Sequence, residues 1–484
     1  MPRPSITFLT MDDMDEINEG ALNILEKTGI LFKNSNALSI LYEAGAEINK
    51  STQIAKIPRD LVKSALSKAP PSIKLFYRDG KRYLELKGNN VHFNPGSTAI
   101  NVLDFETKSV RKALTRDLID FVRVADALEN IHAQSTAIIC SDVPEEITDV
   151  YRLYLVLKNS PKPIITGAFS ILGVHYMKDL LSTVIGKDKL AKSPPAIFDV
   201  CPSPPLMWSE ITSQNLIDCA KHGLPVEIVP MPLSGATGPV TIAGSIVQHT
   251  AEALSGVVLS QLVNPGAPVI YGGSPAPFDM RFLTTPMGAI ETAIIDCAYA
   301  EMGKFYGLPT HAYIGLSDSK VVDAQAGLES GIGLILGALA GINVISAPGM
   351  LDFESCQSVE KLVIDNDICG RALRLIKGIH IDSETLAIDL IMNVGPGKQF
   401  LTAEHTRKWV RAEHFIPSTV VDRLNRERWE KEGSKDMFKR ANEFVKKTLL
   451  EHKPESLPSD IENELDALMT KIAKNCGMLE LPKA

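Results

Sequence analysis

The sequence predicts an α/β fold, a TIM-type (β/α)8 barrel, on three observations. From Asn90 onward, eight short β-branched runs alternate with eight long helix-compatible stretches, and each run is bounded by Gly, Pro, Ser or Asp. Eight such units demand parallel strands with right-handed crossovers, and eight is the number that closes a cylinder. The turn after the first run, Asn94-Pro95-Gly96-Ser97, is neither the GxGxxG nor the phosphate loop that an open doubly wound sheet usually carries there.

Residues 1–89 read as an extension that is helical and then mixed. Met11 to Gly29 forms an amphipathic helix opened by acidic residues, as the helix dipole prefers. Ser72 to Tyr77, Arg82 to Leu86 and Lys108 to Lys112 read as short flanking strands. The barrel occupies 90–378, with strands at Val91 to Pro95, Ala133 to Cys140, Pro163 to Ala168, Ala196 to Cys201, Pro225 to Met231, Pro268 to Gly273, Thr310 to Gly315 and Asn343 to Ala347. Its helices run roughly over Thr115 to Glu129, Glu145 to Lys158, Leu172 to Ile185, Ser209 to Lys221, Thr241 to Leu262, Met287 to Tyr306, Ala324 to Ala340 and Cys356 to Leu375. After Gly378 the pattern loosens. Residues 379–484 form a charged helical appendage packing on the barrel, its last helix ending near Lys474.

At 484 residues, 45% hydrophobic and 22% charged, the chain can bury a sizeable core. A net charge of -8 argues against nucleic acid or an anionic membrane as partner, since both need a concentrated basic surface. With no long uninterrupted apolar run and no apolar signal core over Met1 to Asp15, the cytoplasm is the expected compartment. Seven scattered cysteines, none in a CxxC spacing, predict neither disulfides nor a metal site.

Barrel enzymes keep their reactive residues at the carboxyl ends of the strands and in the loops that follow. No HExxH, GxSxG elbow, Walker loop or magnesium-type acidic cluster falls there. Aromatic residues do: Phe93, Phe198, Tyr271, Phe278, Phe282, Tyr313 and Phe353. Alternation sends Ala312 and Ile314 toward the helices and His311, Tyr313 and Gly315 inward. Strand six is expected to behave alike, with Ile270 outward and Val269, Tyr271 and Gly273 inward. Two tyrosines on adjacent strands would then share one mouth. Ring faces attract a quaternary ammonium by roughly 0.5 to 2 kcal/mol each when desolvated, although any one of these rings reads equally as mouth filling.

Asp199 and Glu227 lie within predicted strands, where inward-facing carboxylates would either sense a cation or sit in a structural network. His311 reads as a group orienting a substrate carboxylate or as a satisfied core histidine. Arg281, in the loop after strand six, is the basic residue best placed for an anionic substrate end, its alternative being a solvated loop arginine. Asp318 and Lys320, with Asp323, Gln325 and Glu329 opening the next helix, form a polar group that helix capping explains only in part.

The segment Ser317-Asp318-Ser319-Lys320-Val321-Val322-Asp323-Ala324-Gln325-Ala326-Gly327-Leu328-Glu329 resembles the corresponding stretch of the trimethylamine methyltransferase family. So do Ala338 to Gly341, Gly349-Met350-Leu351, Glu360-Lys361-Leu362-Val363-Ile364-Asp365, the loop Pro230 to Thr241, and Asn94-Pro95-Gly96-Ser97 with Val102-Leu103-Asp104. The resemblance covers most of Asn90 to Gly378. Founding members of that family demethylate trimethylamine with a pyrrolysine in the barrel mouth, a residue this sequence lacks. The corresponding region here is Tyr313 to Lys320.

Members without pyrrolysine are implied to demethylate quaternary amines: glycine betaine first, with proline betaine and carnitine as others. A quaternary nitrogen already carries the charge that makes its amine a good leaving group, so the enzyme needs mainly to hold a methyl in line with its acceptor. By the resemblance, that acceptor is Co(I) of a cognate corrinoid protein, with no cofactor tightly bound to this chain and no metal ligands. The expected catalytic residues are Tyr313, His311 and Asp318. Phe93, Phe198, Tyr271, Phe278, Arg281, Gly315 and Gln325 are expected to bind substrate, in a homo-oligomer. Two rival readings are a barrel lyase or aldolase acting on a phosphorylated substrate, and a non-catalytic betaine-binding partner of a corrinoid protein.

Overall fold

The computed structural model describes residues 3–482. Eight short strands run parallel at the heart of the chain: β1 (His92–Phe93), β2 (Gln134–Ser135), β3 (Ile164–Thr166), β4 (Ala196–Val200), β5 (Val226–Ile228), β6 (Val269–Tyr271), β7 (His311–Tyr313) and β8 (Val344–Ser346). After them come α1 (Thr115–Ala127), α2 (Thr148–Asn159), α3 (Gly173–Ile185), α4 (Glu210–His222), α5 (Ile242–Val263), α6 (Ile290–Phe305), α7 (Ala324–Ala340) and α8 (Val359–Ile376). The α/β alternation read from the sequence is present throughout, with helix bounds within about three residues of the expected ones.

The pairing is less continuous than one ring of eight. β6-β5-β4-β3-β2 form one parallel sheet and β7-β8-β1 another. Between β6 and β7 there is a single bridge, Tyr271 to Thr310, with the Tyr271 N–H donating to the Pro309 carbonyl at 2.8 Å. Between β1 and β2 the His132 N–H donates to the Phe93 carbonyl at 2.7 Å. Strands this short form few ladder pairs, so a small divergence between neighbours leaves only isolated bonds.

Side-chain alternation divides the strands into two faces. Ile165, Ile197, Ile270 and Val344 meet in one apolar cluster with Ile73, Leu75, Leu84 and Leu86 of the antiparallel hairpin Ile73–Phe76/Tyr83–Leu86. That hairpin sits at the strands' amino ends, Phe76 bonding to Pro194 and Arg78 to Pro161. Residues of the opposite parity, Ile164, Phe198, Val226, Ile228, Val269, Tyr271, Ala312 and Ile345, join the large core formed with the helices.

The amino-terminal region holds a small sheet that sequence reading does not anticipate. Ile30–Phe32 pairs antiparallel with Ile54–Lys56, which pairs with Glu47–Asn49, and on its other edge Ile30–Phe32 pairs parallel with Met207–Trp208 after β4. At the other end, the helix Met437–Glu451 packs on α8 and α1, and Ser459–Asn475 packs on α3 and α2. Tyr154 donates to Asp466 at 2.8 Å and Lys158 pairs with the same carboxylate. Ala441, Val445, Leu465, Met469 and Ile472 are buried, so the charged sequence of this region describes only its outer face. Among the described residues no helix is long and apolar enough to cross a membrane.

Candidate functional site

Polar side chains without partners collect at the carboxyl ends of the strands. Asp199 on β4 and Glu227 on β5 stand directly opposite each other in the parallel register, on the face away from the helices. On β7, Tyr313 shares that face, and its hydroxyl donates to Asp199 Oδ2 at 3.2 Å. Asp199 Oδ1 and both Glu227 oxygens have no hydrogen-bond partner. Burial raises the acidity constants of both carboxyls. Glu227 is pushed well above the usual range by burial and by the neighbouring Asp199, whereas the proximity of Glu227, the Tyr313 hydroxyl and the Arg152 charge restrain the rise at Asp199. Both carboxyls are thus pushed toward their neutral forms, Glu227 the further of the two.

His311, also on β7, closes the same face. Its Nε2 lies 2.9 Å from Ser346 Oγ on β8, and Ser346 donates onward to Asn94 Oδ1 at 2.8 Å. With the Ser346 proton committed to Asn94, His311 Nε2 is the donor and Nδ1 is bare. Burial holds the imidazole near a pKa of about 3, so it is neutral. A Cβ at Gly272 would approach His311 Nδ1 to 3.0 Å, which is why that position carries no side chain.

The loop after β8 supplies another carboxyl. Asp352, Phe353 and Glu354 all have positive φ (52°, 53° and 68°), three consecutive residues in a conformation that costs non-glycine residues about 1 kcal/mol or more each. The turn carries Glu354, whose pKa burial pushes to about 8, the charges of Asp318 and Asp199 adding to the rise. Asp318 is raised to about 6, again mainly by burial, although one of its oxygens accepts from the Gly288 N–H at 3.0 Å. Lys320 donates to the Asp318 carbonyl at 2.7 Å and lies over the Phe353 ring, 3.6 Å from its centroid.

A pH dependence follows. Folded Glu354 keeps its proton where the unfolded chain has lost it, so its contribution to stability is fully present below about pH 4.5 and is lost as pH rises toward 8. The unfolding midpoint should fall between about pH 4.5 and 8, and Glu354→Gln should flatten that fall by on the order of 1 kcal/mol. Superimposable melting profiles for the two proteins would show that Glu354 does not titrate there.

Several expected site residues lie elsewhere. Tyr271 is turned to the helices: its hydroxyl donates to Thr250 on α5 at 3.0 Å and its ring packs on Tyr299 and Tyr306. Ile270 takes the inward position instead, reversing the expected parity of β6. Phe93 and Phe198 also belong to the helix-facing core. A cage with Tyr271 and Tyr313 on one mouth is therefore not formed.

Arg281 is solvated, its side chain 79% exposed and paired with Asp279 at 2.6 Å. Phe278 is half-buried in the loop after β6. Gly315 serves packing, since a Cβ there would meet Leu334, Pro348 and the Ser346 carbonyl within 2.9 Å. Gln325 is exposed and bonds to Glu329, which itself accepts from Ser317 and the Asp318 N–H. Of the ten expected residues, Tyr313 and His311 share one face with Asp199 and Glu227, and Asp318 lies near Glu354. All seven cysteines are free.

Sequence reasoning missed Glu354, which no motif marks, and Arg152, fully buried on α2. Arg152 did leave a signal: it is a lone cation inside Val150-Tyr-Arg-Leu-Tyr-Leu-Val-Leu157, a run otherwise fit for complete burial.

The arrangement gathers buried carboxyls with unmet hydrogen-bonding demand, a tyrosine hydroxyl and a neutral imidazole at the strands' carboxyl ends. The trimethylamine methyltransferase (MTTB) family model matches residues 1–477. A trimethylamine methyltransferase of Methanosarcina barkeri is 34% identical over 475 residues, 97% of this chain and 96% of that protein. In Desulfitobacterium hafniense, a trimethylamine methyltransferase is 32% identical over 471 residues (96% and 94%) and a glycine betaine methyltransferase 32% identical over 477 residues (98% and 98%). Among solved structures, the monomethylamine methyltransferase of Methanosarcina barkeri matches with a TM-score of 0.48 and 12% identity, over 97% of this chain and 93% of that one. The chain belongs to the trimethylamine methyltransferase family.

Proposed function

We propose that this enzyme demethylates a quaternary amine, glycine betaine as first choice, and passes the methyl group to Co(I) of a cognate corrinoid protein docked over the strands' carboxyl ends. The reading takes the eight strands as one closed (β/α)8 barrel, with residues 1–89 and 379–484 packed around it. Backbone hydrogen bonds across both seams and the single apolar cluster shared by the inward faces support that closure. The observation that carries the function is the buried Asp199 carboxyl between Tyr313 and Glu227, one of its oxygens without a hydrogen-bond partner, in a family of amine methyltransferases and a chain without pyrrolysine.

The reaction breaks a C–N bond, its electron pair staying on nitrogen, while Co(I) supplies the two electrons of the new Co–C bond and becomes Co(III). Positive charge on nitrogen disappears along the way, so a site that bound the cation too strongly would raise the barrier. The chemistry of this cluster limits that: burial pushes Glu227, Glu354 and, less strongly, Asp199 toward their neutral forms, so the cation meets less than a full set of charges. The tertiary amine product loses the attraction to Asp199, which favours its release.

The enzyme is read as cytoplasmic. Homo-oligomerisation is supported by exposed apolar residues between 379 and 401, among them Ile379, Ile381, Met392 and Leu401.

Reduced cobalamin offered in place of the corrinoid protein, with a panel of betaines and methylamines, tests the proposal by the loss of Co(I) absorbance. Consumption with a quaternary amine is expected, and Tyr313→Leu should lower it at least about 100-fold with the fold retained. Consumption with none of the panel would overturn the reading, and unchanged turnover in Tyr313→Leu would remove that residue from the site.

A further inference from the structure

The geometry points to Arg152 as the receptor for a substrate carboxylate, making this a site for zwitterionic amines with the anion on a short arm from the nitrogen; the inference rests on the methyltransferase reading above. Arg152 is fully buried, yet only Nη1 is engaged, donating to the Thr136 carbonyl just beyond β2 at 2.8 Å. Nε and Nη2 have no partner. Those two nitrogens share one edge of the guanidinium, the edge that grips a carboxylate with two parallel hydrogen bonds. Phe169, from the loop after β3, covers the guanidinium face at 4.7 Å and is itself 42% exposed, so it marks the outer rim.

A buried arginine with two empty donors is costly unless something arrives to fill them. Among the described residues no carboxylate comes within ion-pairing distance. Asp149, one turn earlier on α2, is occupied by the Phe169 and Val150 N–H groups. Asp199 and Tyr313 are close enough to act on Arg152 electrostatically without touching it. Burial lowers the guanidinium only to about 10, so it remains charged at neutral pH. The site therefore presents a guanidinium edge and a carboxyl oxygen, near each other and each without a hydrogen-bond partner. A molecule with the reverse polarity, ammonium toward Asp199 and carboxylate toward Arg152, fills both vacancies at once. Arg281 and His311 cannot take this role, one being solvated and the other neutral.

Calorimetry on the full chain with glycine betaine and with tetramethylammonium tests the assignment independently of turnover. Wild type should bind the zwitterion at least about 10-fold more tightly, and Arg152→Met should weaken glycine betaine about 100-fold while affecting tetramethylammonium far less. Arg152→Lys should recover only part of the loss, because an ammonium does not reproduce the two-pronged contact. Equal wild-type affinities, no binding of either ligand, or an Arg152→Met loss equal for both would overturn the inference. The wild-type comparison holds even if a variant fails to fold. Selective zwitterion binding with no Co(I) consumption would sink methyl transfer and leave Arg152 assigned, whereas equal binding of the two ligands with Co(I) consumed from both would do the reverse.

Discussion

Asp199→Asn should lower kcat/KM for a quaternary amine by about 100-fold or more while leaving the folded protein at least as stable as its parent. Asp199 is the carboxyl whose burial-driven rise is restrained by the Tyr313 hydroxyl and the Arg152 charge, and attraction between charges in a desolvated setting exceeds that in water several-fold. An amide keeps an oxygen to accept the Tyr313 hydroxyl, so the local geometry survives. It also removes a buried carboxylate with an unpartnered oxygen, a destabilising feature of the apoprotein. Cobalamin kinetics read the first effect and thermal unfolding the second. Unchanged kcat/KM would mean that the substrate cation is held elsewhere.

Gly333→Ala is expected to be the most damaging single substitution in the scaffold, at about 3 to 5 kcal/mol. The position lies on α7 where the helix rests against β7, and a Cβ there would fall 1.8 Å from the Ile314 carbonyl oxygen and 3.0 Å from its carbon. The obstacle is backbone, so relief requires the helix to move away from the strand. Because Ile314 follows Tyr313 directly, that shift should also displace Tyr313 from Asp199 and, on the proposed function, reduce turnover. Gly327 and Gly331 on the same helix are the controls: nothing lies within 4 Å of a Cβ at either. Alanine there should stabilise by roughly 0.5 to 1 kcal/mol, through helix propensity alone. Urea unfolding of the three variants measures the contrast, and a Gly333→Ala midpoint matching the controls would contradict the close packing of α7 on β7.

The helices were readable because each is a long stretch between breakers and several carry their own caps, and those signals are local. Ser209 caps α4 at Thr212, Asp323 caps α7 at Ala326, Ser358 caps α8 at Lys361, and Gly223 and Gly341 end α4 and α7 in the left-handed conformation. Strand parity was readable only where chemistry breaks the symmetry of the two faces. In β7, His-Ala-Tyr alternates large polar rings with a small residue, and His311 and Tyr313 do point together. In β6, Val-Ile-Tyr is apolar at every position and buried on both faces, so nothing in the sequence distinguishes inward from outward. The aromatic cage expected at Tyr271 failed for that reason, whereas Phe198 is excluded by alternation once its neighbour Asp199 faces inward.

By itself, then, the sequence determined the order of helices and strands, the family, and the presence of carboxylates at Asp199 and Glu227 within strands, since these depend on composition and on neighbours a few residues apart. Only tertiary structure decided that Asp199, Glu227, Tyr313, Glu354 and Arg152, spread over some two hundred residues of chain, converge while leaving polar atoms of Asp199, Glu227, Glu354 and Arg152 without hydrogen-bond partners. Burial sets charge state and unmet hydrogen-bonding demand, and it arises from packing between distant segments that no local pattern records.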